Sequence, residues 1–365
     1  MSHTGTFPDN VGFFSFSICS VQQQAMNVGV SQCGPSIMIE TEGTGSVVHN
    51  LKSTMDLNQL ERPCVLDGGH GTALEQMGID VNANALWSFD TAIDNPAACF
   101  TVHKGFIDAG ARFIMSNTYH GSIEVMMKSR GMSEEAAIKA IAQAVDMAKK
   151  AAEEASHKVH VAGSIGPYAI VLRDGSEYSG TYMDTVPRKA VEQYYKAQMK
   201  AMLSTGLDWY ALETIPRLDE AMVALEVWNS LDGTNEKKLW VSFSCKDHET
   251  TNGNDPFHKV VEHISAHSAV SAIGINCTSP QYIAPLIQAA APVARGKPFV
   301  VYPNHGEPYD ALKHQFNYSQ DDTFPQYLKD IPFLWKHNVR LFGGCCRVKN
   351  EHIERITSIV NALEI

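Results

Sequence analysis

Val339-Arg340-Leu341-Phe342-Gly343-Gly344-Cys345-Cys346 is a short apolar run that ends in two glycines and two cysteines. Runs of this length and composition, bounded by glycine, are typical of buried strands in a parallel sheet. Similar runs recur upstream, and together they predict eight strands, at residues 64–67, 112–118, 159–165, 209–214, 239–245, 272–277, 298–303 and 339–342.

Segments with helical periodicity separate the predicted strands. One follows the candidate cap Ser133 and places Ile138, Ile141 and Val145 at spacings of three and four, and the last begins near Asn350. Eight strands alternating with helices over about 300 residues match a (β/α)₈ barrel better than an open sheet. We therefore predict an α/β protein whose residues 55–365 form one TIM-barrel domain.

The first 54 residues lack this alternation. Residues 1–50 contain no lysine or arginine, and the apolar patch at 13–19 is shorter than a membrane span. We therefore expect neither a signal peptide, nor a membrane anchor, nor a mitochondrial presequence. We interpret residues 1–54 as an irregular extension or a disordered tail, with Met55 as a candidate alternative start.

Composition narrows the classes of partner. The chain has 365 residues, 29 Lys plus Arg against 40 Asp plus Glu, and a net charge of −11. Because no basic block is present, we expect binding to neither nucleic acid nor membranes. Eight cysteines in a chain of this length indicate reduced thiols and a cytoplasmic protein. The expected assembly is a monomer or a small homo-oligomer.

Three cysteines end two of the predicted strands. Cys277 ends the sixth strand, and Cys345 and Cys346 follow the eighth, so a barrel brings them to one rim. Three thiolates with one open position are typical of a reactive zinc site. We expect Gly343 and Gly344 to turn both adjacent sulfurs inward by adopting backbone angles that other residues avoid. The alternatives are buried apolar cysteines or a strained vicinal disulfide between Cys345 and Cys346.

Two acidic residues end other strands of the same rim. Asp67 and Glu213 are flanked by apolar strand residues, and a buried carboxylate there would need a partner such as the ammonium group of an amino acid. The alternatives are a turn aspartate before two glycines and a first-turn helix acid near Pro216.

The chemistry that suits three thiolates is activation of a substrate thiol. A coordinated thiol is deprotonated, so at neutral pH it can attack a transferable methyl group on a sulfonium or quaternary ammonium donor. No catalytic protein nucleophile is then required. The candidates for the donor pocket are Tyr119, Tyr168, Asn276 and Asn304.

Three histidines also fall on the predicted rim. His70, His120 and His305 are candidates for a fourth ligand or a proton-handling group. The Gly-Gly-His-Gly turn at 68–71 lacks the features of a phosphate loop and of a dinucleotide fingerprint, which disfavours nucleotide binding.

From about Arg62 to its C-terminus, the chain resembles the homocysteine S-methyltransferase family. The motifs that stand in the family's order are Leu66-Asp67-Gly68-Gly69, Gly163-Ser164-Ile165-Gly166-Pro167-Tyr168, Asp174-Gly175-Ser176-Glu177-Tyr178, Glu213-Thr214-Ile215-Pro216, Gly274-Ile275-Asn276-Cys277-Thr278, Tyr302-Pro303-Asn304 and Gly343-Gly344-Cys345-Cys346-Arg347. The resemblance implies a zinc-bearing barrel in which the three cysteines bind zinc and both acids hold the amino group of homocysteine. The implied product is methionine.

The motifs resemble the branch that uses S-methylmethionine or S-adenosylmethionine more than the betaine branch. The chain departs from the family at His70-Gly71, His120-Gly121 and His305, where a small or aliphatic pair, Gln-Ala and Ser are common. The alternatives are a betaine-dependent or selenocysteine-directed methyltransferase of the same fold, and a non-catalytic zinc or thiol sensor.

Overall fold

A computed structural model describes residues 55–232, 236–306 and 323–364, together with the backbone of two short strands at 309–310 and 315–316. The predicted extension 1–54 lies outside these residues. None of the described helices is long and apolar enough to cross a membrane.

Eight parallel strands form the central sheet, in the order β1-β10-β7-β6-β5-β4-β3-β2. A parallel bridge between Leu66 and Phe113 joins the first strand to the second, which closes the sheet into a barrel. The strands are β1 (Cys64–Val65), β2 (Phe113–Met115), β3 (His160–Ile165), β4 (Trp209–Ile215), β5 (Lys238–Phe243), β6 (Val270–Asn276), β7 (Phe299–Tyr302) and β10 (Val339–Phe342).

Helices surround the barrel. Within the described residues they are α1 (His70–Gln76), α2 (Phe89–Asp94), α3 (Pro96–Asp108), α4 (Ile123–Arg130), α5 (Glu134–Glu153), α6 (Ala169–Leu172), α7 (Arg188–Ser204), α8 (Leu218–Leu231), α9 (Phe257–Ile264), α10 (Pro280–Ala290), α11 (Phe324–Lys336) and α12 (Asn350–Ala362). The side chain of Ser133 caps α5 by accepting the Ala136 N–H at 3.2 Å.

The structure confirms the predicted fold. All eight predicted strands are present, although several are shorter than the apolar runs that encode them. A small antiparallel pair, β8 (Tyr309–Asp310) and β9 (Gln315–Phe316), follows β7 and was not predicted. Strand β7 separates β6 from β10, as expected, so the C-terminal ends of β6 and β10 are one strand apart.

Large aromatic side chains fill the inside of the barrel. Trp209 and Trp240 pack with ring centroids 5.8 Å apart, and Phe113 meets Trp209 edge to face at 5.8 Å. These residues belong to a buried cluster separate from the larger one that includes most core-facing helix residues. The barrel interior is therefore a packed core, and space for ligands remains only at its ends.

Replacing Trp209 with alanine should open a cavity that the closed barrel cannot collapse. We expect the free energy of unfolding to fall by about 3 to 5 kcal/mol. Urea denaturation followed by far-ultraviolet circular dichroism measures this. As the control, Met77→Ala removes a side chain that is 47% exposed. An equal loss from both substitutions would contradict the packing described above.

Candidate active site

The three predicted cysteines converge at the C-terminal rim of the barrel. The Sγ atom of Cys277 lies 2.8 Å from that of Cys345 and 4.0 Å from that of Cys346, and the sulfurs of Cys345 and Cys346 are 4.0 Å apart. All three are free thiols, so the alternative of a vicinal disulfide is wrong for this structure. Among the described residues, they form the one group of histidine, cysteine or acidic side chains able to hold a metal ion.

The spacing of the sulfurs fits a tetrahedral thiolate site. With metal–sulfur bonds of about 2.3 Å, sulfur ligands of zinc lie about 3.8 Å apart. Two of the three separations are close to this value, and the 2.8 Å pair would have to open by about 1 Å. Hydrogen bonds from the Cys277 and Cys346 thiols hold the pKa of Cys345 well below its usual value, and the hydrogen bonds to Cys345 and Cys346 raise the pKa of Cys277 well above it. By itself the cluster therefore favours one thiolate, on Cys345, and a bound cation is needed to stabilise further negative charge.

The glycines before the cysteine pair act through close packing, which corrects the prediction made for them. Neither Gly343 nor Gly344 has a left-handed backbone. A Cβ atom on Gly343 would lie 2.7 Å from the Asp67 carbonyl oxygen, and one on Gly344 would lie 2.1 Å from Val348 Cγ1. The missing side chain of Gly343 therefore lets the end of β10 approach the end of β1, and that of Gly344 leaves room for Val348.

Left-handed backbone occurs elsewhere in the same site. Cys277 has a φ of +47° and Thr214 has a φ of +59°, an unusual conformation for both residue types. The Asn276 side chain accepts the Thr214 N–H at 2.9 Å and donates to Thr214 Oγ1 at 2.7 Å. This pair of bonds ties the end of β4, which carries Glu213, to the end of β6, which carries Cys277.

Backbone hydrogen bonds fix the cysteine pair. The Cys345 N–H donates to the Pro303 carbonyl at 2.7 Å, and the Gly344 N–H donates to the Asp67 carbonyl at 3.0 Å. The first bond joins the loop after β10 to the end of β7, and the second joins it to the end of β1. The Asn304 N–H donates to the Thr278 carbonyl at 3.0 Å, which ties the end of β7 to the end of β6, and sulfurs from residues 68 and 69 positions apart therefore meet.

Asp67 is a buried carboxylate at this rim, with 3% of its surface exposed. Its Oδ2 accepts the Met115 N–H from β2 at 2.8 Å, so it is not a local turn aspartate. Burial raises the pKa of Asp67 well above its usual value, and the nearby charge of Glu213 adds to the effect. In the described part of the chain, no lysine or arginine pairs with it.

Glu213 is the second buried carboxylate, 8% exposed and located within β4. The alternative of a first-turn helix acid is therefore wrong. Burial, followed by the charge of Cys345, raises the pKa of Glu213 to about 7, and hydrogen bonds from Ser164 and Tyr302 partly oppose this. Trp240 in the barrel core donates to the Tyr302 hydroxyl at 3.2 Å. The core therefore fixes the position of Tyr302, which in turn bonds the Glu213 carboxylate.

A cavity of about 400 Å³ joins these groups. It is lined by the three cysteines, by Asp67 and Glu213, and by residues of the loops that follow β1, β2 and β3. Among the lining residues that the structure describes, Arg173 is the one arginine or lysine, against three carboxylates including Glu177. The cavity is therefore an acidic chamber beside the thiol cluster.

One of the four predicted donor-pocket residues lines the cavity, and the other three lie outside it. Tyr119 lines the cavity, whereas Tyr168, Asn276 and Asn304 do not. Tyr168 packs among other tyrosines, with its ring 5.7 Å from that of Tyr194, and the Asn276 side chain is bonded to Thr214. The Asn304 N–H donates to the Thr278 carbonyl at 3.0 Å, which places Asn304 behind the strand ends.

The three rim histidines do not join the cysteines. His70 and His120 line the cavity, and His305 stacks on Phe324 with ring centroids 5.4 Å apart. Burial lowers the pKa of His120 to about 3 and that of His70 well below its usual value, so both imidazoles are neutral. They add no positive charge to the cavity wall.

Sequence reasoning did not assign a role to several lining residues. Arg173 lies in an irregular loop and Glu177 in a short 3₁₀ turn, where no periodicity marks them. Glu177 and Tyr178 belong to the Asp-Gly-Ser-Glu-Tyr motif. This motif contributed to the family resemblance, but the sequence did not indicate that its residues line the cavity. Trp87 packs its ring 4.9 Å from that of His120.

The fold and the site define a TIM-barrel enzyme with a thiolate cluster and buried carboxylates at its catalytic rim. Residues 64–360 match the family model described as homocysteine S-methyltransferase. The chain belongs to the homocysteine S-methyltransferase family.

Similar proteins cover most of the barrel. The chain is 33% identical to the homocysteine S-methyltransferase YbgG of Bacillus subtilis, over 82% of this chain and 95% of the relative. It is 32% identical to the betaine-homocysteine S-methyltransferase of Drosophila melanogaster, over 78% and 90%. The crystal structure of the metallated homocysteine methyltransferase MmuM from Escherichia coli has a TM-score of 0.70 and 29% identity, covering 82% of this chain and 96% of that one. One of these names specifies betaine as the methyl donor, and the other two specify no donor.

Gly343→Ala should disturb the cysteine site, because the added Cβ meets backbone that cannot move away. If the cluster holds a metal ion such as zinc, we expect its affinity for that ion to fall by about tenfold or more, as for other supporting residues of metal sites. Competition with a chromophoric chelator measures this. Gly105→Ala is the matched control, since its Cβ would meet the flexible amide end of Asn350. Unchanged zinc affinity in Gly343→Ala would contradict the close-packing argument.

Proposed function

We propose that this enzyme transfers a methyl group from a sulfonium donor, S-methylmethionine or S-adenosylmethionine, to L-homocysteine in a zinc-dependent reaction that forms methionine. The observation that carries the proposal is the convergence of three cysteine sulfurs, 2.8 to 4.0 Å apart, with two buried carboxylates around one cavity.

The proposed metal ligands are Cys277, Cys345 and Cys346. Sulfur ligands suit zinc, and the spacing of the thiols is compatible with it after a small opening of one pair. Zinc bound by three thiolates would supply activation of a substrate thiol at neutral pH. We propose no histidine ligand, because His70, His120 and His305 lie outside the cluster.

Asp67 and Glu213 are proposed to hold the amino group of homocysteine. Each is buried without a described cationic partner, and their mutual proximity raises the pKa of Asp67 further. An ammonium group between them would favour the charged form of both. Binding of the amino acid therefore orients its thiol toward the cysteines.

The remainder of the cavity is proposed to receive the donor. Its acidic lining and neutral histidines suit a cation, and Tyr119 and Trp87, which line the cavity, are proposed to make cation–π contacts with it. The homocysteine sulfur forms a new bond to the methyl carbon as the bond from that carbon to the donor sulfonium breaks. The electron pair of the broken bond stays on the donor sulfur, which becomes a neutral thioether.

No protein nucleophile is needed for this displacement, because the substrate sulfur itself attacks the methyl carbon. A cytoplasmic setting fits the free state of every cysteine in the described part of the chain. A sensor without turnover would have no use for two buried carboxylates beside the thiols, because their desolvation is costly without a ligand.

Cys277→Ala should abolish both zinc binding and methionine formation, because two sulfurs cannot hold the ion firmly. Zinc content by atomic absorption and methionine formation by chromatography are the measurements. Cys245→Ala is the matched control: this buried cysteine lies near the end of β5, outside the cluster. Full activity in zinc-free protein would contradict the proposed zinc-dependent mechanism.

Asp67→Asn and Glu213→Gln should each raise the KM for homocysteine by about tenfold or more, since each removes a charge-assisted contact. Zinc content should remain at the wild-type level. Glu177→Gln, which alters the third lining carboxylate, should leave the KM for homocysteine within about twofold. An unchanged homocysteine KM in both of the first two variants would refute their assignment.

A donor panel separates the remaining family alternatives. With homocysteine as acceptor, we expect S-methylmethionine or S-adenosylmethionine to exceed betaine in kcat/KM. With the donor fixed, selenocysteine in place of homocysteine tests the acceptor. A higher kcat/KM with betaine would replace the proposed donor class, and a preference for selenocysteine would replace the acceptor.

A further inference from the structure

A fully buried glutamate outside the cavity takes no part in the proposed reaction. Glu220 lies in the first turn of α8, and none of its surface is exposed. Within the described residues no lysine or arginine forms an ion pair with it. A carboxylate buried in this way is costly unless hydrogen bonds satisfy it, so the identity of its donors shows what it stabilises.

Three hydrogen bonds reach this carboxylate from other elements. Its Oε1 accepts the Tyr168 N–H at 2.7 Å and the Tyr195 hydroxyl at 2.9 Å. Its Oε2 accepts the hydroxyl of Tyr182. Tyr195 belongs to α7, whereas Tyr168 and Tyr182 lie near the two ends of one connection, residues 168–184, which we name the wall segment.

The wall segment forms part of the cavity. Arg173, Gly175, Glu177 and Tyr178 lie within it and line the cavity that the proposed function assigns to the donor. Its regular structure is limited to α6 and two short 3₁₀ turns, Ser176–Tyr178 and Thr181–Asp184. Because such short elements have few hydrogen bonds of their own, outside contacts must define its path.

Two further side chains bond the wall segment, but neither reaches its N-terminal end: the Ser244 hydroxyl donates to the Glu177 carbonyl at 3.3 Å, and Arg217 bonds the C-terminal part. The Arg217 guanidinium donates to Asp184 at 2.7 Å and to the Gly180 carbonyl at 3.5 Å. The Asp184 side chain is 64% exposed, so this ion pair is weak in water. Glu220 differs from Arg217 because it is shielded from solvent and binds both ends of the segment.

We propose that Glu220 is a positioning residue for the methyl donor: by bonding both ends of the wall segment, it fixes the lining groups that meet the donor. The inference rests on the proposed function for the identity of the ligand in the cavity. The position of the segment itself does not depend on that identity.

Two tyrosines allow a matched test. Tyr182→Phe and Tyr195→Phe each remove one hydroxyl from the same carboxylate, but only Tyr182 belongs to the wall segment, and neither residue lines the cavity. We expect Tyr182→Phe to raise the KM for the sulfonium donor by about fivefold, the value of one lost hydrogen bond. Zinc content and the KM for homocysteine should not change. Tyr195→Phe should change the donor KM by less than about twofold.

Hydrogen–deuterium exchange gives a readout that does not require turnover. Backbone amides of residues 168–184 should exchange faster in Tyr182→Phe than in wild type, and at the wild-type rate in Tyr195→Phe. Equal effects of both substitutions on donor KM and on exchange would overturn the inference and leave Glu220 a structural residue. If wild-type protein forms no methionine with any donor, the proposed function fails, and the exchange data alone then decide the positioning role.

Discussion

The contact on which the site depends is the close approach of the end of β10 to the end of β1. Gly343 and Gly344 leave room for Leu66, Asp67 and Val348, and the Gly344 N–H bonds to the Asp67 carbonyl. This approach places a residue proposed to bind the amino group beside two of the proposed metal ligands. A side chain on Gly343 would separate the two halves of the proposed homocysteine site, because its Cβ would meet Leu66 and the Asp67 carbonyl.

The second constraint is electrostatic. The cavity combines three thiols with three carboxylates, and burial disfavours the charged form of Asp67 and Glu213. Such an arrangement is poorly stabilised when empty, and the cations of the proposed reaction, a metal ion, an ammonium group and a sulfonium group, would relieve it. Under the proposed function, the site would bind best when all three are present, which would couple substrate binding to the chemistry.

Much of this architecture could be predicted from the sequence. The strands are apolar runs, and polar or reactive residues follow their C-terminal ends. A barrel built from these strands therefore places Cys277, Cys345 and Cys346 on one rim. The role of Gly343 and Gly344 could not be predicted correctly, because close packing between distant strands leaves no local signal. Arg173 and Glu220 were missed for other reasons. Arg173 lies in an irregular loop without periodicity, and Glu220 resembles an ordinary acidic residue in the first turn of a helix.

The most direct test of the account compares the binding of homocysteine to zinc-loaded and metal-free protein by calorimetry. The account predicts that zinc tightens the binding of homocysteine by about tenfold or more, because the thiol occupies the open position that the three cysteines leave. Homoserine, which has a hydroxyl in place of the thiol, should gain much less from the metal. Equal affinity of homocysteine for the two forms would contradict the central claim.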